Sequence, residues 1–250
     1  MKICPCIDTV YRGYPLEEAL AEIKALGYAG FEFWRFADYD IPEMRRLKEA
    51  YGLEVVNLNA PEVSLVDAEL RPEFLRQLKT AIAAAAELDC GHITLLSGND
   101  TGKSRPQQRK IMADTLGEAA ALAEGAGITL VLEASNRRVN RPNNFLTSAD
   151  EAFEILERVG SGHVKMLYDI YHQQITEGDL LARILPNLDK IGHFHAAGVP
   201  GRHELDECEI NYDYLLRQIA QAGYDGWIGL EYFPAKAPAE GLRKLAAYLT

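Results

Sequence analysis

The sequence predicts an α/β fold, a single (β/α)8 TIM barrel spanning residues 1–250, from three observations. Eight short β-rich runs alternate with longer helical patterns along 250 residues, the length of one closed parallel barrel. Three helical stretches end alike, in ALGYAG (25–30), EGAGIT (124–129) and QAGYDG (221–226), with glycine where a left-handed cap leads into the next strand. No Pro/Ser-rich linker, low-complexity tract or compositional break divides the chain.

The strand runs are KICPCID (2–8), GFEFWR (30–35), LEVVNLN (53–59), HITLLSG (92–98), TLVLEAS (129–135), VKMLYDI (164–170), IGHFHAA (191–197) and WIGLEYF (227–233). One helix opens at Pro15, with Glu17 and Glu18 in its first turn, where acidic groups face the positive end of the helix dipole. A second runs from Pro72 to Leu88 through AIAAAA, a run of high helix propensity. A third spans Gln107 to Gly125, and the last runs from Ala239 to the C-terminus. A doubly wound open sheet is the alternative fold. Its glycine-rich phosphate loop after the first strand is absent, since TVYRGY is not one.

Composition narrows the function. A net charge of −11 argues against a nucleic-acid partner, because phosphate binding needs a basic surface. The four cysteines, Cys4, Cys6, Cys90 and Cys208, form no CxxC pair or disulfide framework and read as free thiols of a reducing compartment. MKICPCIDTV turns polar too early for a signal peptide, and no run approaches the roughly 18 apolar residues of a membrane span. A cytoplasmic protein with a small-molecule substrate and no membrane partner is expected, with a homo-oligomer left open.

In such barrels the chemistry sits at the C-terminal ends of the strands. Near the ends of runs five to eight stand Glu133, Asp169, His195 and Glu231. Residues two apart in a strand share a face. Val131, Glu133 and Ser135 therefore point one way and Leu130 and Leu132 the other; the same parity groups Gly229 with Glu231, Leu167 with Asp169, and His193 with His195. A lone acidic residue at a strand end is ordinarily a solvated loop residue or a cap. Four metal-ligand types at one level of four neighbouring strands are harder to explain that way. Burying three carboxylates together is costly without a compensating cation. One divalent ion held by Glu133, Asp169, His195 and Glu231 is the simplest compensation. Oxygen-rich mixed ligation suits Mn²⁺ or Mg²⁺ best, with Co²⁺ or Zn²⁺ poorer fits. A multinuclear zinc nuclease on the same barrel would need more strand-end histidines and a basic face, and the chain has only six histidines in all and a net charge of −11.

The segments LYDIYHQQITEGDL (167–180), IGHFHAAGVPGRHELDE (191–207) and IGLEYFP (228–234) resemble the hydroxypyruvate isomerase family of the xylose-isomerase-like (sugar phosphate isomerase/epimerase) barrels. The resemblance extends less specifically through GFEFW (30–34) and PNNFLTS (142–148). It implies metal ligation by Glu133, Asp169, His195 and Glu231, proton exchange with substrate by Glu133 and Glu231, and substrate contacts from His172 and Arg202. It departs at one position: hydroxypyruvate-isomerase relatives often carry glutamine where this chain has His195, and ketose 3-epimerases typically carry histidine. The implied reaction interconverts a short hydroxy-keto acid and its aldehyde isomer, of the hydroxypyruvate/tartronate semialdehyde type. A ketose 3-epimerase or a sugar- or inositol-type isomerase or dehydratase on the same site is the alternative; a non-catalytic binding barrel is the remote one.

Arg202, in the loop after the seventh run, is read either as the clamp for a substrate carboxylate or as a surface arginine paired with Glu204. His172 follows Asp169 at a helix start and serves either a substrate oxygen or a cap. Trp34, with Phe33, stands where an aromatic walls the pocket, though core packing explains an aromatic there equally well. Finally, Lys165 shares the inward face of Asp169, so an inward carboxylate, Glu32 foremost, is expected to pair with it below the site.

Overall fold

Parallel strands arranged around a common axis account for the arrangement seen in the computed structural model, which describes residues 1–245. They are β1 (Lys2–Pro5), β2 (Gly30–Arg35), β3 (Glu54–Asn59), β4 (His92–Leu96), β5 (Thr129–Glu133), β6 (Val164–Asp169), β7 (Ile191–Ala196) and β8 (Trp227–Leu230). From β2 to β8 consecutive strands pair with each other, and β1 pairs with β8. A single parallel bridge between Cys6 and Glu32 joins β1 to β2 and nearly closes the ring. The expected barrel is present.

The strands are shorter than their hydrophobic runs at the C-terminal end, and this shapes the site. After Pro5 the chain turns into a short helix, Ile7–Val10, so Ile7 and Asp8 leave the expected strand. After Leu230 the backbone of Glu231 still donates to Ala196 O (3.0 Å), but the ladder stops there. Glu231 thus stands at the rim, with Phe233 beyond it.

Helices cover the outside. Leu16–Ala25 follows Pro15, which occupies the N-cap, and carries Glu17 and Glu18 in its first turn. Arg71–Glu87 lies one residue earlier than the expected Pro72–Leu88, Arg105–Ala126 brackets Gln107–Gly125, and Pro238–Lys244 begins one residue before Ala239. Residues 246–250 of that last expected helix lie outside the described residues. Gly27, Gly127 and Gly223 all have positive φ (88°, 69° and 97°), the left-handed geometry expected of the three repeated endings. The outward faces of the strands bury Leu130, Leu132, Ile228 and Leu230 against this shell, and Ala81 and Ala85 of the alanine run let their helix lie close.

Part of the barrel interior is polar. Asn57 of β3 and Thr94 of β4 exchange hydrogen bonds of 2.8 and 3.0 Å, and Glu32, His193 and His195 are likewise buried. Such groups are tolerated only when partnered.

Lys165 is not among them. Its amine leaves through the N-terminal mouth of the barrel and donates to Asp189 O at 3.0 Å. Glu32 pairs with histidines instead. The expected Lys165–Glu32 pair is therefore wrong: parity sets the direction of the Cβ, but a four-carbon stem near a barrel end carries its charge to solvent.

The four cysteines are free. Among the described residues, no helix is long and apolar enough to cross a membrane.

Candidate active site

At the C-terminal end of the barrel lies a cavity of about 820 Å³, bordered by Asp8, Trp34, Glu133, His172, Arg202 and Glu231 among others. Asp169 and His195 are buried behind this lining, against His172, Arg202 and Glu231. Strand register sets their level: Asp169 pairs with His195, and His195 with Gly229.

Two overlapping groups of ligand-type atoms result. Asp169, His195 and Glu231 bring one atom each within 4.8 Å of one another, and so do Glu133, Asp169 and His172. Asp169 belongs to both. The four residues singled out in the sequence are thus brought to one place, though Glu133 approaches the others through Asp169. His172 joins the cluster as well, its Nε2 lying 3.3 Å from Glu133 Oε1 and 3.5 Å from Asp169 Oδ2.

Each side chain is held from behind. Asp169 caps the helix Ile170–Thr176, accepting from His172 N at 3.1 Å. Ser135 Oγ donates to Glu133 Oε1 at 3.0 Å. The backbone N–H of Asn136 donates to His172 Nδ1 at 3.3 Å, leaving Nε2 facing the carboxylates. Trp34 donates its indole N–H to Glu231 Oε1 at 2.6 Å, and its own backbone N–H is fixed by Asp8 Oδ2 at 2.5 Å.

Arg202 lies inside, not on the surface beside Glu204. Its guanidinium pairs with Glu231 Oε2 and stands 3.5 Å from Asp169 Oδ2, while Nε donates to the Glu231 carbonyl at 3.1 Å. The residue adopts φ +59°, a left-handed conformation that costs a non-glycine residue about 1 kcal/mol. Three bonds secure it: Arg202 N to Gly198 O (2.9 Å), Gly198 N to His203 O (2.8 Å) and Phe233 N to Arg202 O (2.8 Å).

The electrostatics are those of a site with excess negative charge. Burial, reinforced by Glu231 and Asp169, pushes the Glu133 carboxyl well above the usual range. Burial also opposes ionisation of Glu231, but Arg202 and His195 outweigh it and hold that carboxyl low. Burial lowers His172 to about 4, whereas at His195 the two carboxylates Glu231 and Glu32 overcome burial and raise the imidazole. His195 has Nδ1 at 3.1 Å from Glu231 and Nε2 at 3.1 Å from Glu32, yet neither contact has hydrogen-bond alignment. A buried imidazole flanked by carboxylates but lacking an aligned partner, beside two further acids, is a donor set that fits a hard divalent cation.

The family model for xylose isomerase-like TIM barrels matches residues 20–250. The hydroxypyruvate isomerase of Escherichia coli is 33% identical, over 89% of this chain and 89% of its own length. The 2-oxo-tetronate isomerase of Cupriavidus necator is 31% identical, over 97% and 96%. The chain belongs to the hydroxypyruvate isomerase family of xylose isomerase-like barrels. It is an isomerase. Among solved structures, a Brucella melitensis protein described as an AP endonuclease of family 2 superposes with a TM-score of 0.94 at 29% identity, covering 100% of this chain and 99% of its own.

Within this hydroxypyruvate isomerase family member, sequence reasoning missed several residues that border or brace the site. The sequence pattern places Asp8 in a strand, whereas its hold on Trp34 depends on the turn that ends β1. Glu32 pairs with His193 and His195, not Lys165, and the inward parity of those two histidines is the signal in the sequence that points to them. Arg141, which lines the cavity paired to Glu62 at 2.9 Å, carried no signal in the sequence.

Proposed function

We propose that the chain is a metal-dependent isomerase that interconverts a short hydroxy-keto acid and its aldehyde isomer, of the hydroxypyruvate/tartronate semialdehyde type. The observation that carries this reading is the burial of Glu133, Asp169, His195 and Glu231 in two ligand-distance groups that share Asp169, at the cavity. The names of the relatives support the chemistry.

Glu133, Asp169, His195 and Glu231 would hold the ion, Mn²⁺ or Mg²⁺ by the oxygen-rich donor set. Bound there, it supplies Lewis-acid stabilisation to the substrate's carbonyl and hydroxyl oxygens. The remaining work falls to side chains. A carboxylate of the Glu133/Glu231 pair takes the proton from the hydroxyl-bearing carbon, giving an enediolate. A proton is returned to the neighbouring carbon, while the hydroxyl proton passes between the two oxygens, so the aldehyde forms with no net change in atoms. His172, its Nδ1 facing Asn136, keeps Nε2 turned to the carboxylates and a substrate oxygen. Trp34 and Arg202 orient Glu231, and Arg202 adds positive charge beside the substrate's carboxylate.

A second reading has its own support. About 820 Å³ is roomy for a three-carbon acid, and a four-carbon 2-oxo acid or a ketose undergoing epimerisation would fill more of it. Endonuclease chemistry has no comparable support, given a net charge of −11.

A turnover screen with added Mn²⁺ or Mg²⁺ tests the proposal, using hydroxypyruvate, tartronate semialdehyde, 2-oxo-tetronates and neutral ketoses. Metal-stimulated turnover of the keto acids is expected. Turnover of neutral ketoses alone would shift the assignment to the epimerase reading.

A further inference from the structure

Glu32 is a buried carboxylate to which the reaction above gives no task. It is 1% exposed and sits on β2 at the seam where the barrel closes on β1. Its Oε2 accepts from His193 Nε2 at 2.8 Å, and its Oε1 lies 3.1 Å from His195 Nε2. Both rings come from the inner face of β7, across the barrel. The contact needs space on β8, and glycine provides it: a Cβ at Gly229 would fall 1.9 Å from Glu32 Oε1. Gly229 pairs in register with His195, so the missing side chain lies beside the ring that Glu32 approaches.

The imidazole of His195 is therefore set between two carboxylates, with Nε2 towards Glu32 and Nδ1 towards Glu231. A carboxylate accepts hydrogen bonds and cannot donate them when ionised. A ring that gives its Nδ1 lone pair to a cation on the Asp169/Glu231 side keeps its proton on Nε2, where the negative charge of Glu32, 3.1 Å away, stabilises it. Carboxylate partners of this kind orient metal-binding histidines and raise their affinity.

We infer that Glu32 is a positioning residue, whose carboxylate sets the ring of His195 so that Nδ1 faces the proposed ion site, with His193 bracing Glu32 from the other side. This rests on the metal-dependent reading above. Glu32, His193 and His195 also fall within ligand distance of one another, but a second ion there is disfavoured. Nε2 of His193 must carry the proton it donates to Glu32, and so has no lone pair to offer.

The test compares Mn²⁺ affinity, by calorimetry or by loss of the free-ion electron paramagnetic resonance signal, in the native chain and in Glu32→Gln. The substitution keeps the volume. Its amide can accept from one ring only and must turn N–H to the other, which disfavours the required form of His195. Weakening of Mn²⁺ binding by about 10- to 100-fold is expected, with kcat largely recovered at saturating Mn²⁺ and KM little changed. A role confined to stability would lower the melting temperature of the metal-free protein and leave the affinity alone. Should Glu32→Gln fail to fold, Glu32→Asp keeps the charge, shortens the reach, and is expected to weaken Mn²⁺ by about tenfold. A native chain that binds Mn²⁺ and a folded variant that matches it within about twofold would overturn the role of Glu32 and leave the metal reading standing. A native chain that does not bind Mn²⁺ would overturn both.

Discussion

The indole N–H of Trp34 and the carboxylate of Glu231 are joined by a 2.6 Å hydrogen bond across 197 positions of sequence. Trp34 thus acts on the carboxylate proposed to move the proton, beyond walling the cavity. Glu231 Oε1 takes the indole, and Oε2 takes Arg202, so both oxygens are directed. Replacing Trp34 by phenylalanine keeps an aromatic wall and removes the donor. A hydrogen bond to a charged group contributes about 2 kcal/mol, so kcat is expected to fall roughly thirtyfold, with a smaller change in KM. Steady-state kinetics check this; an unchanged kcat would show that the indole serves only as a wall.

Arg202→Ala should expose the charge imbalance at the site. Arg202 faces Glu231 and Asp169 with its side chain 11% exposed. Removing one partner of a buried pair costs about 3–5 kcal/mol. Urea unfolding of the metal-free variant is expected to show a loss of about 3 kcal/mol, and saturating Mn²⁺ should restore part of it. Turnover of keto acids should drop far more than that of neutral ketoses. A variant as stable as the native chain, with hydroxypyruvate turnover intact, would remove Arg202 from the site.

Gly229→Ala tests the packing that admits Glu32. The new methyl would meet Glu32 Oε1 at 1.9 Å and must displace it. Overpacking of this sort costs about 1–3 kcal/mol. Denaturant midpoints should fall accordingly, whereas Gly91→Ala, whose Cβ meets nothing within 4 Å, should show a much smaller loss. Equal losses in the two would contradict the steric account.

Acid stability carries a signature from the opposite end of the barrel. Burial, with His193 nearby, lowers His92 from 6.5 to about 4. The folded chain therefore keeps His92 neutral where the unfolded chain protonates it. The stability this neutral ring contributes is whole above pH 6.5 and is lost as the pH falls towards 4. The loss is on the order of 3 kcal/mol. Urea midpoints measured at pH 7 and pH 4.5 should diverge less in His92→Gln than in the native chain. Equal divergence would assign the acid sensitivity elsewhere.

Much of the site was readable because a barrel turns sequence parity into direction. Glu133, Asp169, His195 and Glu231 sit in apolar runs with a period of two, and that pattern aims them inward without knowledge of the tertiary structure. Partner choice was not readable. Glu32 reaches His193 across 161 positions, a contact set by which strands face each other and by the glycine at 229. Lys165 shares the inward parity, but the length of its stem decides where its charge goes. The early ends of β1 and β8 also escaped, because hydrophobic runs continue past the last ladder bond. Those ends place Asp8 behind Trp34 and Glu231 at the rim.

Proton transfer by metal-supported carboxylates is tested most directly by turnover of hydroxypyruvate in D2O with Mn²⁺. Deuterium should appear at the newly formed C–H bond of tartronate semialdehyde. Both turnover and incorporation should vanish after chelation and in Glu231→Gln. Undiminished turnover by the chelated, metal-free protein would contradict the account.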